Sequence, residues 1–509
     1  MNDNSEQSTA SRARVGRRDV LALGAGLVVG AGAVAGADRW GGGTKKAAAG
    51  SGGKGTDPGT EEKPPRIRRF VSTYLSTVAV ETWTADGAEP APGLLFTTPR
   101  TSVFHGLVLD NDGEPVWIEP EGQTITDLRV QTYRGKPVLT YWSGEVAVGT
   151  GIGAGHLLDE SYQRVATVRG GQGSAADLHE FKLTERGTAL LIGYPVVHRD
   201  LSEIGGPEDG YLYDCRVQEV DVATGEVLLD WRSLSHLDLA ESHEELGDTG
   251  GIDAPYDPFH INSVEAHEDT LVLSARHTSA LYSLDRRTGE IRWRMGGKNS
   301  DFEIAEDAEF ASQHDARVHP DGTLTLFDNH GQSEDPAGAV SAGLVLDLDE
   351  KKRTVTLRRA FRNDDHYGYA MGSFELLEGG HRLVGWGTDP SLTEFDAEGT
   401  PVFGVDGIGA GTYRAYRAEW TGRPTSDPDV GVVDSGAGKI EVHASWNGAT
   451  EVVRWRVLTG RRPGDLTPAA TVRRTGFETA TTVARAEHVA MQALAADGRV
   501  LGTSHTLAV

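Results

Sequence analysis

Short stretches of alternating apolar and polar residues recur along most of the chain, separated by turn residues. Four of them share one form: a strand, a polar turn with Gly or Asp, and a second apolar strand. They read HEFKLTERGTALLIGY, HINSVEAHEDTLVLSAR, HDARVHPDGTLTLFDN and SFELLEGGHRLVGWG. A period of two with turns between the runs predicts antiparallel hairpins, and no stretch has a sustained helical period. We therefore expect an all-β fold.

A turn that starts with aspartate follows these hairpins at regular intervals, and three of the six copies contain Gly-Glu. The six turns begin at Asp110, Asp159, Asp221, Asp285, Asp347 and Asp396, so they lie 49 to 64 residues apart. A repeat of this length is typical of one four-stranded blade. The pattern predicts a six-bladed β-propeller over residues 66–424. A pair of β-sandwiches is the alternative, although sandwich strands need not repeat in this order.

The rhythm changes after residue 424. Residues 425–509 contain short strands such as KIEVHAS and TEVVRWRVL, which an Asn447-Gly448 turn joins. This pattern predicts a small C-terminal β-sandwich, similar to a fibronectin type III or immunoglobulin-like module. It carries no visible chemistry, so we expect it to serve packing or attachment.

The beginning of the chain predicts export. Arg17-Arg18 precede a weakly apolar stretch, and Ala35-Gly36-Ala37 supply small residues for a signal peptidase. Residues 1–37 are interpreted as a twin-arginine signal peptide and residues 38–65 as a flexible linker. An uncut membrane anchor is the alternative. We predict an extracellular or cell-envelope protein without an integral membrane domain after signal removal; the sequence leaves the oligomeric state open.

The net charge of −26 over 509 residues argues against nucleic acid as a partner, because a phosphate backbone needs a basic surface. Cys215 is the single cysteine, which excludes an internal disulfide, a cysteine zinc site and a CxxC redox pair. The sequence also lacks a GxxxxGK[ST] loop for nucleotide phosphates.

Polar side chains with catalytic potential stand at equivalent places in the repeat. His179, His260 and His314 begin three predicted inner strands, and Arg276 ends the strand that returns beside His260. Asn262 lies two residues after His260 and is expected on the same face. One such histidine alone would be interpreted as structural. Because the inner strands of a propeller line its central channel, these residues together predict a site at one mouth of that channel.

The sequence contains further histidines near these residues, and a group of histidines can also bind a metal. The alternation places His277 on the far side of its strand, in a supporting role, and the part played by His366 stays open. Several imidazoles would also suit zinc or copper. Arg276 at the same mouth would repel a dication, so we predict neither a metal nor another cofactor.

Long runs around these residues resemble the arylsulfotransferase family, especially its fungal and actinobacterial branch. They are DPFHINSVEAHEDTLVLSARHTSALYSLDRRTGEIRWRMGGKNSDF, FASQHDARVHPDGTLTLFDN, MGSFELLEGGHRLVGWGTDPSLTEFDAEG and YRAYRAEW. The resemblance extends roughly from Ile67 to Gly502. It implies a six-bladed propeller that transfers sulfuryl groups between phenols without the nucleotide donor PAPS.

The resemblance also implies roles for individual residues. His314 matches the histidine of the family's Gln-His motif, which becomes transiently sulfurylated. His260 and Asn262 match a pair that contacts the sulfuryl oxygens, Arg276 matches the arginine closing the next strand, and His179 matches an earlier inner-strand histidine. Unlike the enterobacterial type, this chain has no cysteine pair and has its sandwich after the propeller.

These residue types suit sulfuryl transfer. The transition state spreads negative charge over three oxygens, which arginine and asparagine donors stabilise. A histidine nucleophile must be neutral, and its reference pKa of about 6.5 makes that the main form at neutral pH. We predict an aryl sulfate:phenol sulfotransferase that uses an aryl sulfate donor and a phenolic acceptor by ping-pong kinetics. The alternatives are a ligand-binding propeller without turnover and a metal-dependent propeller enzyme.

Overall fold

The structure is a computed structural model that describes residues 64–147, 149–331, 340–363 and 365–509. The predicted signal peptide and nearly all of the predicted linker lie outside these residues. Within them the protein is all-β, as predicted, and the helical segments are 3-10 turns of three residues each. They are Ser202–Ile204, Ser233–Ser235, Leu239–Glu241, Glu306–Ala308 and Glu378–Gly380. No helix in this part of the chain is both long and apolar enough to cross a bilayer.

The strands are numbered in chain order. The first ten are β1 Ile67–Arg69, β2 Ser76–Val78, β3 Glu81–Thr84, β4 Leu94–Pro99, β5 Leu107–Leu109, β6 Pro115–Ile118, β7 Ile125–Tyr133, β8 Lys136–Ala147, β9 Thr150–Leu158 and β10 Arg164–Val168. The next ten are β11 Phe181–Leu183, β12 Thr188–Gly193, β13 Val196–Arg199, β14 Gly210–Tyr213, β15 Arg216–Asp221, β16 Val227–Arg232, β17 Ile261–His267, β18 Thr270–Ala275, β19 Ala280–Asp285 and β20 Ile291–Gly296.

Ten further strands complete the region of the aspartate turns. They are β21 Glu303–Ile304, β22 His314–Val318, β23 Thr323–Asp328, β24 Ala342–Asp349, β25 Thr354–Phe361, β26 Ser373–Leu376, β27 Arg382–Gly385, β28 Ser391–Phe395, β29 Pro401–Asp406 and β30 Thr412–Ala418. The C-terminal strands are β31 Asp429–Gly436, β32 Lys439–Ser445, β33 Arg454–Gly460, β34 Thr467–Arg473, β35 Glu478–Ala484, β36 His488–Leu494, β37 Val500–Thr503 and β38 Leu507–Ala508.

Strands β3 to β30 form six sheets of four or five strands, apart from the small β13-β14 hairpin. Their orders are β30-β4-β5-β6, β7-β8-β9-β10, β11-β12-β15-β16, β17-β18-β19-β20, β22-β23-β24-β25-β21 and β26-β27-β28-β29-β3. We call the first strand of each sheet its inner strand, because neighbouring sheets meet there. β7 contacts β30 and β11, β22 contacts β17 and β26, β26 contacts β30, and β12 contacts β17.

Each of the six aspartate turns joins the third and fourth strands of one sheet, counted from its inner strand. One carboxylate oxygen, Oδ1, accepts bonds from two backbone N–H groups that follow it, as between Asp110 and Glu114. The same bonding occurs in all six sheets. Such side-chain bonds mimic a backbone turn and explain the recurring aspartate. In the fifth sheet the capping residue is Asp349, because Asp347 lies within β24 and pairs with Thr356.

Segments distant in sequence complete two of the sheets. β30 pairs antiparallel with β4 and so joins the two ends of the repeat region in one sheet, with Tyr416 opposite Phe96. β3 adds to the outer edge of the β26 sheet. These pairings between segments more than 300 residues apart determine which strands lie beside the inner strands of the candidate site.

The C-terminal residues form two further sheets, β31-β32-β35 and one containing β33, β34, β36, β37 and β38. They share an apolar core that includes Trp455 and Met491. Asn447 does not close a hairpin, because β32 and β33 lie in different sheets; its amide instead exchanges two hydrogen bonds with the backbone of Ile118 in β6. This region therefore packs against the first of the six sheets.

A buried network of ion pairs links the inner strands. Its members are Asp127, Arg129, Glu180, Asp315, Arg317 and Arg414. Arg414 is fully buried, and its Nη1 lies 3.1 Å from carboxylate oxygens of both Asp127 and Glu180. Burial alone would raise the pKa of Glu180, but Arg317, Arg414 and Arg129 hold it well below its ordinary value. The charges therefore stabilise one another where the sheets meet.

We expect R414M to lower the free energy of unfolding by about 3 kcal/mol, because it leaves buried carboxylates without their cation. Chemical denaturation of the full chain measures this. R358M is the matched control, because the Arg358–Asp347 pair is exposed and should contribute little. Equal losses in the two variants would contradict a stabilising role for the network.

Candidate functional site

Two of the predicted histidines meet directly. His179 and His260 stand before β11 and β17, and their ring centroids lie 4.8 Å apart at a steep angle. Both are buried. The backbone of His260 has a φ of 51°, an uncommon conformation for a residue other than glycine. This conformation turns the chain just before β17 begins.

Each of these two imidazoles is oriented by an aspartate a few residues before it. Nδ1 of His179 lies 2.5 Å from Oδ1 of Asp177, and Nδ1 of His260 lies 2.7 Å from Oδ2 of Asp257. A carboxylate accepts the Nδ1 proton in such a pair, so Nε2 is the atom available for chemistry. Nε2 of His179 is buried and has no hydrogen-bond partner among the described residues. The sequence analysis missed both aspartates, although the short DLH and DPFH motifs contain them.

His314 is held by a neutral partner instead. It begins β22, and its Nδ1 lies 2.7 Å from Oδ1 of Asn329, which follows β23. The Asn329 amide nitrogen donates to the carbonyl oxygens of Gly368 and Met371, at 2.6 and 3.1 Å. These carbonyls can only accept, so they determine which way the amide faces. Nδ1 of His314 must therefore carry its proton, and Nε2 carries the lone pair.

Arg276 belongs to the same cluster. Its Nη1 donates to Nε2 of His277 at 2.9 Å, and its Nη2 donates to the carbonyl oxygen of Tyr369 at 3.3 Å. Its Nε is buried and has no hydrogen-bond partner in the described part of the chain. The two Nη atoms thus hold the guanidinium in place, and the Nε–H remains as a donor for another group.

The structure corrects the expected position of His277. Its ring stacks on that of His260, with centroids 4.7 Å apart, and its Nδ1 donates to the carbonyl oxygen of Asp257 at 2.7 Å. The alternation argument failed because β18 ends at Ala275, and residues 276–279 form a turn. His277 positions Arg276 beside the other histidines.

Asn262 connects two neighbouring strands of the site. Its amide nitrogen donates to the backbone carbonyl of Gln313 at 2.7 Å, so it connects β17 to the residue before His314. Its Oδ1 is buried without a partner among the described residues. A bulge between Ile261 and Ser263 breaks the simple alternation that the sequence argument assumed. One N–H of the Asn262 amide is therefore engaged within the protein, while its Oδ1 and its second N–H remain for another group.

Burial and nearby positive charge favour the neutral form of His314, His260 and His277. Burial, followed by the positive charge of Arg276, lowers the pKa of His314 well below its ordinary value. Burial, followed by the charges of His179 and Arg276, does the same to the pKa of His260. Burial also lowers the pKa of His277 to about 3, which suits its role as acceptor from Arg276. His314, Arg276, His260 and His179 are thus close enough to affect one another electrostatically.

Two tyrosines, the half-buried Tyr194 and the buried Tyr413, pack around His179. The rings of Tyr194 and Tyr413 each lie 5.6 Å from the His179 ring. The Tyr413 hydroxyl donates to the His179 carbonyl at 2.9 Å, and the Tyr194 hydroxyl donates to the Ile261 carbonyl at 2.6 Å. Tyr194 follows the second strand of its hairpin as Arg276 and Asn329 do in theirs, so a register argument would have found it.

His366 lies apart from this cluster. Its ring stacks on Trp386 at 5.2 Å, and its Nδ1 lies 3.0 Å from the Ser391 hydroxyl and 3.2 Å from Asp389. The same loop nevertheless brings the Tyr369 carbonyl to Arg276. His366 therefore anchors a loop that borders the cluster.

Asp257, His260 and His277 are the one group in the described residues with metal-ligand geometry, with one potential ligand atom each within 4.8 Å of the others. Asp315, the acidic residue that follows His314 in the sequence, pairs with Arg317. Both ring nitrogens of His277 are already engaged, and Arg276 brings a positive charge to the same place. These bonds fit the orientation of imidazoles and an arginine better than they fit a metal centre.

Comparisons with known proteins find one matching family and several solved structures of low similarity. A family model described as Arylsulfotransferase (ASST) matches residues 129–407, more than half of the chain, and this range includes every predicted site residue and Asn329. A search of curated proteins finds no significant match.

Three solved structures are similar at low scores. A protein of unknown function from Dyadobacter fermentans has 11% identity and a TM-score of 0.36, covering 80% of this chain and 100% of that one. The quinohemoprotein alcohol dehydrogenase ADHIIG from Pseudomonas putida HK5 has 12% identity and a TM-score of 0.32, covering 71% and 70%. The β-propeller domain of Myceliophteria thermophila Cps50 (Swd1) has 12% identity and a TM-score of 0.30, covering 64% and 97%. At these scores the likenesses carry no argument about the site.

Proposed function

The chain belongs to the arylsulfotransferase family, and on that premise we propose that this sulfotransferase moves a sulfuryl group from an aryl sulfate to a phenol without a nucleotide donor. The observation that carries the proposal is the bonding of His314. A neutral, buried imidazole with its proton fixed on Nδ1 presents an Nε2 lone pair, and Arg276 is near enough to affect its charge. That combination is what a nucleophile for an anionic sulfur centre requires.

In the first half-reaction, Nε2 of His314 attacks the sulfur of the donor, and the bond from sulfur to the aryl oxygen breaks. The aryl oxygen leaves the site as a phenolate, and Nε2 of His260 or His179 stays available as a base, because an aspartate accepts the Nδ1 proton of each ring. Arg276 stabilises the negative charge on the sulfuryl oxygens during the transfer. The product is a sulfohistidine.

In the second half-reaction the acceptor phenol enters the same site. Its hydroxyl proton passes to Nε2 of His260 or His179, which then releases it to solvent, and its oxygen attacks sulfur while the bond to Nε2 of His314 breaks. One site thus serves donor and acceptor in turn, so we propose ping-pong kinetics.

The architecture that we propose for this function is a closed six-bladed β-propeller over residues 66–424, followed by a β-sandwich over residues 425–509. The six repeated sheets, the contacts between inner strands and the pairing of β30 with β4 support it. We further propose that residues 1–37 direct twin-arginine export and that residues 38–65 are a linker, which would place the enzyme outside the cell or in its envelope.

Intact-mass spectrometry tests the function directly. The protein without its first 37 residues is incubated with 4-nitrophenyl sulfate alone, and we expect a mass increase of one SO3 unit that disappears when phenol is added. A ligand-binding propeller without turnover would bind the donor and show no covalent gain. A gain that a chelator prevents, with zinc or copper found by elemental analysis, would instead favour the metal-dependent enzyme.

We expect the donor half-reaction to continue at pH values below the ordinary histidine pKa of 6.5. Burial and the charge of Arg276 lower the pKa of His314, so its neutral form persists as the pH falls through that value. Single-turnover release of 4-nitrophenol, with every sample made alkaline before reading, measures the profile. An acid limb at or above 6.5 would contradict this assignment.

A further inference from the structure

The three predicted site histidines, His179, His260 and His314, do not have the same kind of partner at Nδ1. Nδ1 of His179 and Nδ1 of His260 each bond to a carboxylate, whereas Nδ1 of His314 bonds to an amide. A carboxylate beside an imidazole stabilises the protonated ring and raises its pKa. An amide oxygen accepts the same hydrogen bond without a compensating negative charge.

The Asn329 amide is well fixed for this purpose. Asn329 is fully buried, its nitrogen donates to two backbone carbonyls, and its oxygen faces His314. Arg276, His260 and His179 are the charged or titratable groups that affect His314, and their charges all disfavour a positive His314 ring. No carboxylate lies within ion-pair distance of His314 among the described residues.

We propose that Asn329 is a positioning residue that holds the Nδ1 proton of His314 while leaving the ring charge of the sulfurylated intermediate uncompensated. This inference rests on the proposed function. It assigns to Asn329 two effects: it directs the Nε2 lone pair toward the donor, and it keeps the intermediate easy to discharge.

The chemistry of the intermediate explains the second effect. When Nε2 forms its bond to sulfur and the phenolate leaves, the Nδ1 proton stays on the ring, which then carries a positive charge beside the negative SO3 group. When the acceptor oxygen attacks sulfur, the electrons of the N–S bond return to Nε2 and the ring becomes neutral. A partner that stabilises the positive ring therefore slows this return step, because it stabilises the state before the transfer more than the transition state.

N329D puts a carboxylate where the amide stands and is the main test. Enzyme and variant are loaded with 4-nitrophenyl sulfate, separated from free donor, mixed with phenol, and sampled for the sulfurylated mass. We expect the intermediate of N329D to last about tenfold longer, and the acid limb of loading to move up by about one pH unit. N329L removes the acceptor altogether, so it should slow loading about tenfold without the upward shift of the acid limb.

N299D is the matched control, because Asn299 is exposed and receives the same added charge. Unfolding midpoints of all variants show whether the fold survives. If the wild-type protein never gains SO3, the proposed function fails. If the wild-type protein loads and discharges, but N329D behaves like N299D in both lifetime and pH profile, only the inference about Asn329 fails.

If N329D gains no SO3 from the donor, the inference can still be tested by a measurement that needs no turnover. In protein labelled with 15N at histidine, the ring nitrogen shifts of His314 report which nitrogen carries the proton, with the signals assigned by their loss in H314Q. We expect the proton on Nδ1 in the wild-type protein and a mixture of tautomers in N329L. A proton on Nε2 in the wild-type protein would overturn the inference whatever the activity.

Discussion

H314A is expected to lower the rate of sulfuryl transfer from 4-nitrophenyl sulfate to phenol by at least about a thousandfold, because it removes the nucleophile itself. The variant should also show no mass gain with donor alone. Both results follow from the geometry: of the three predicted site histidines, His314 is the one whose Nδ1 bonds to an uncharged side chain, whereas His179 and His260 bond to carboxylates. Stopped assays and intact-mass spectrometry measure the two effects.

The matched control for H314A is H319A. His319 follows the same strand, and its Nε2 bonds to the Thr325 hydroxyl, away from the histidine cluster. We expect H319A to keep wild-type activity and SO3 loading. If H314A still gained SO3 while H319A lost it, the nucleophile would have been assigned to the wrong residue.

R276Q is expected to lower the same rate by about a thousandfold. The intermediate should still be the sulfurylated His314. The guanidinium supplies a permanent positive charge where three oxygens gain negative charge in the transition state, and a buried donor of this kind contributes strongly. R276K should recover only a small part of the rate, because an ammonium does not reproduce the forked donor geometry. Presteady-state release of 4-nitrophenol measures the loss.

The pH profile separates two effects of R276Q. Removing the cation should raise the pKa of His314, because Arg276 is the second cause of its lowering after burial. We therefore expect the acid limb of R276Q to move upward as its rate falls. R292Q, an exposed arginine on the same sheet paired with Asp285, is the control and should change neither quantity. A full rate loss without a shift of the limb would mean that Arg276 lies too far from His314 to act on it.

Hairpins and turns followed from local sequence because their physics is local. The alternation that predicts β17 with β18 and β22 with β23 lies within about fifteen residues, and each aspartate turn is capped by bonds to the next few N–H groups. The error at Asp347 has the same origin. Two aspartates of one strand both suited the pattern, and only the pairing of β24 with β25 shows that Asp349 caps the turn.

The site was predictable to the extent that it repeats with the hairpins. The register that placed Arg276 beside His260 places Tyr194 beside His179 and Asn329 beside His314, since all three residues follow the second strand of their hairpin. The sequence analysis applied this register only at Arg276 and so missed Asn329 and Tyr194. His277 was misplaced because alternation was extended past Ala275, where the strand ends.

What the sequence by itself determined is therefore the set of strands, their turns, and the histidines and arginine that recur at one strand end. The tertiary structure alone decided that β30 completes the first sheet with β4 and that Glu180 meets Arg317 and Arg414. It also decided that Gly368 and Met371 orient the amide that holds His314. The reason is physical: turns and alternation depend on bonds between near neighbours in the chain, whereas these contacts form only when segments far apart in sequence are brought together by packing.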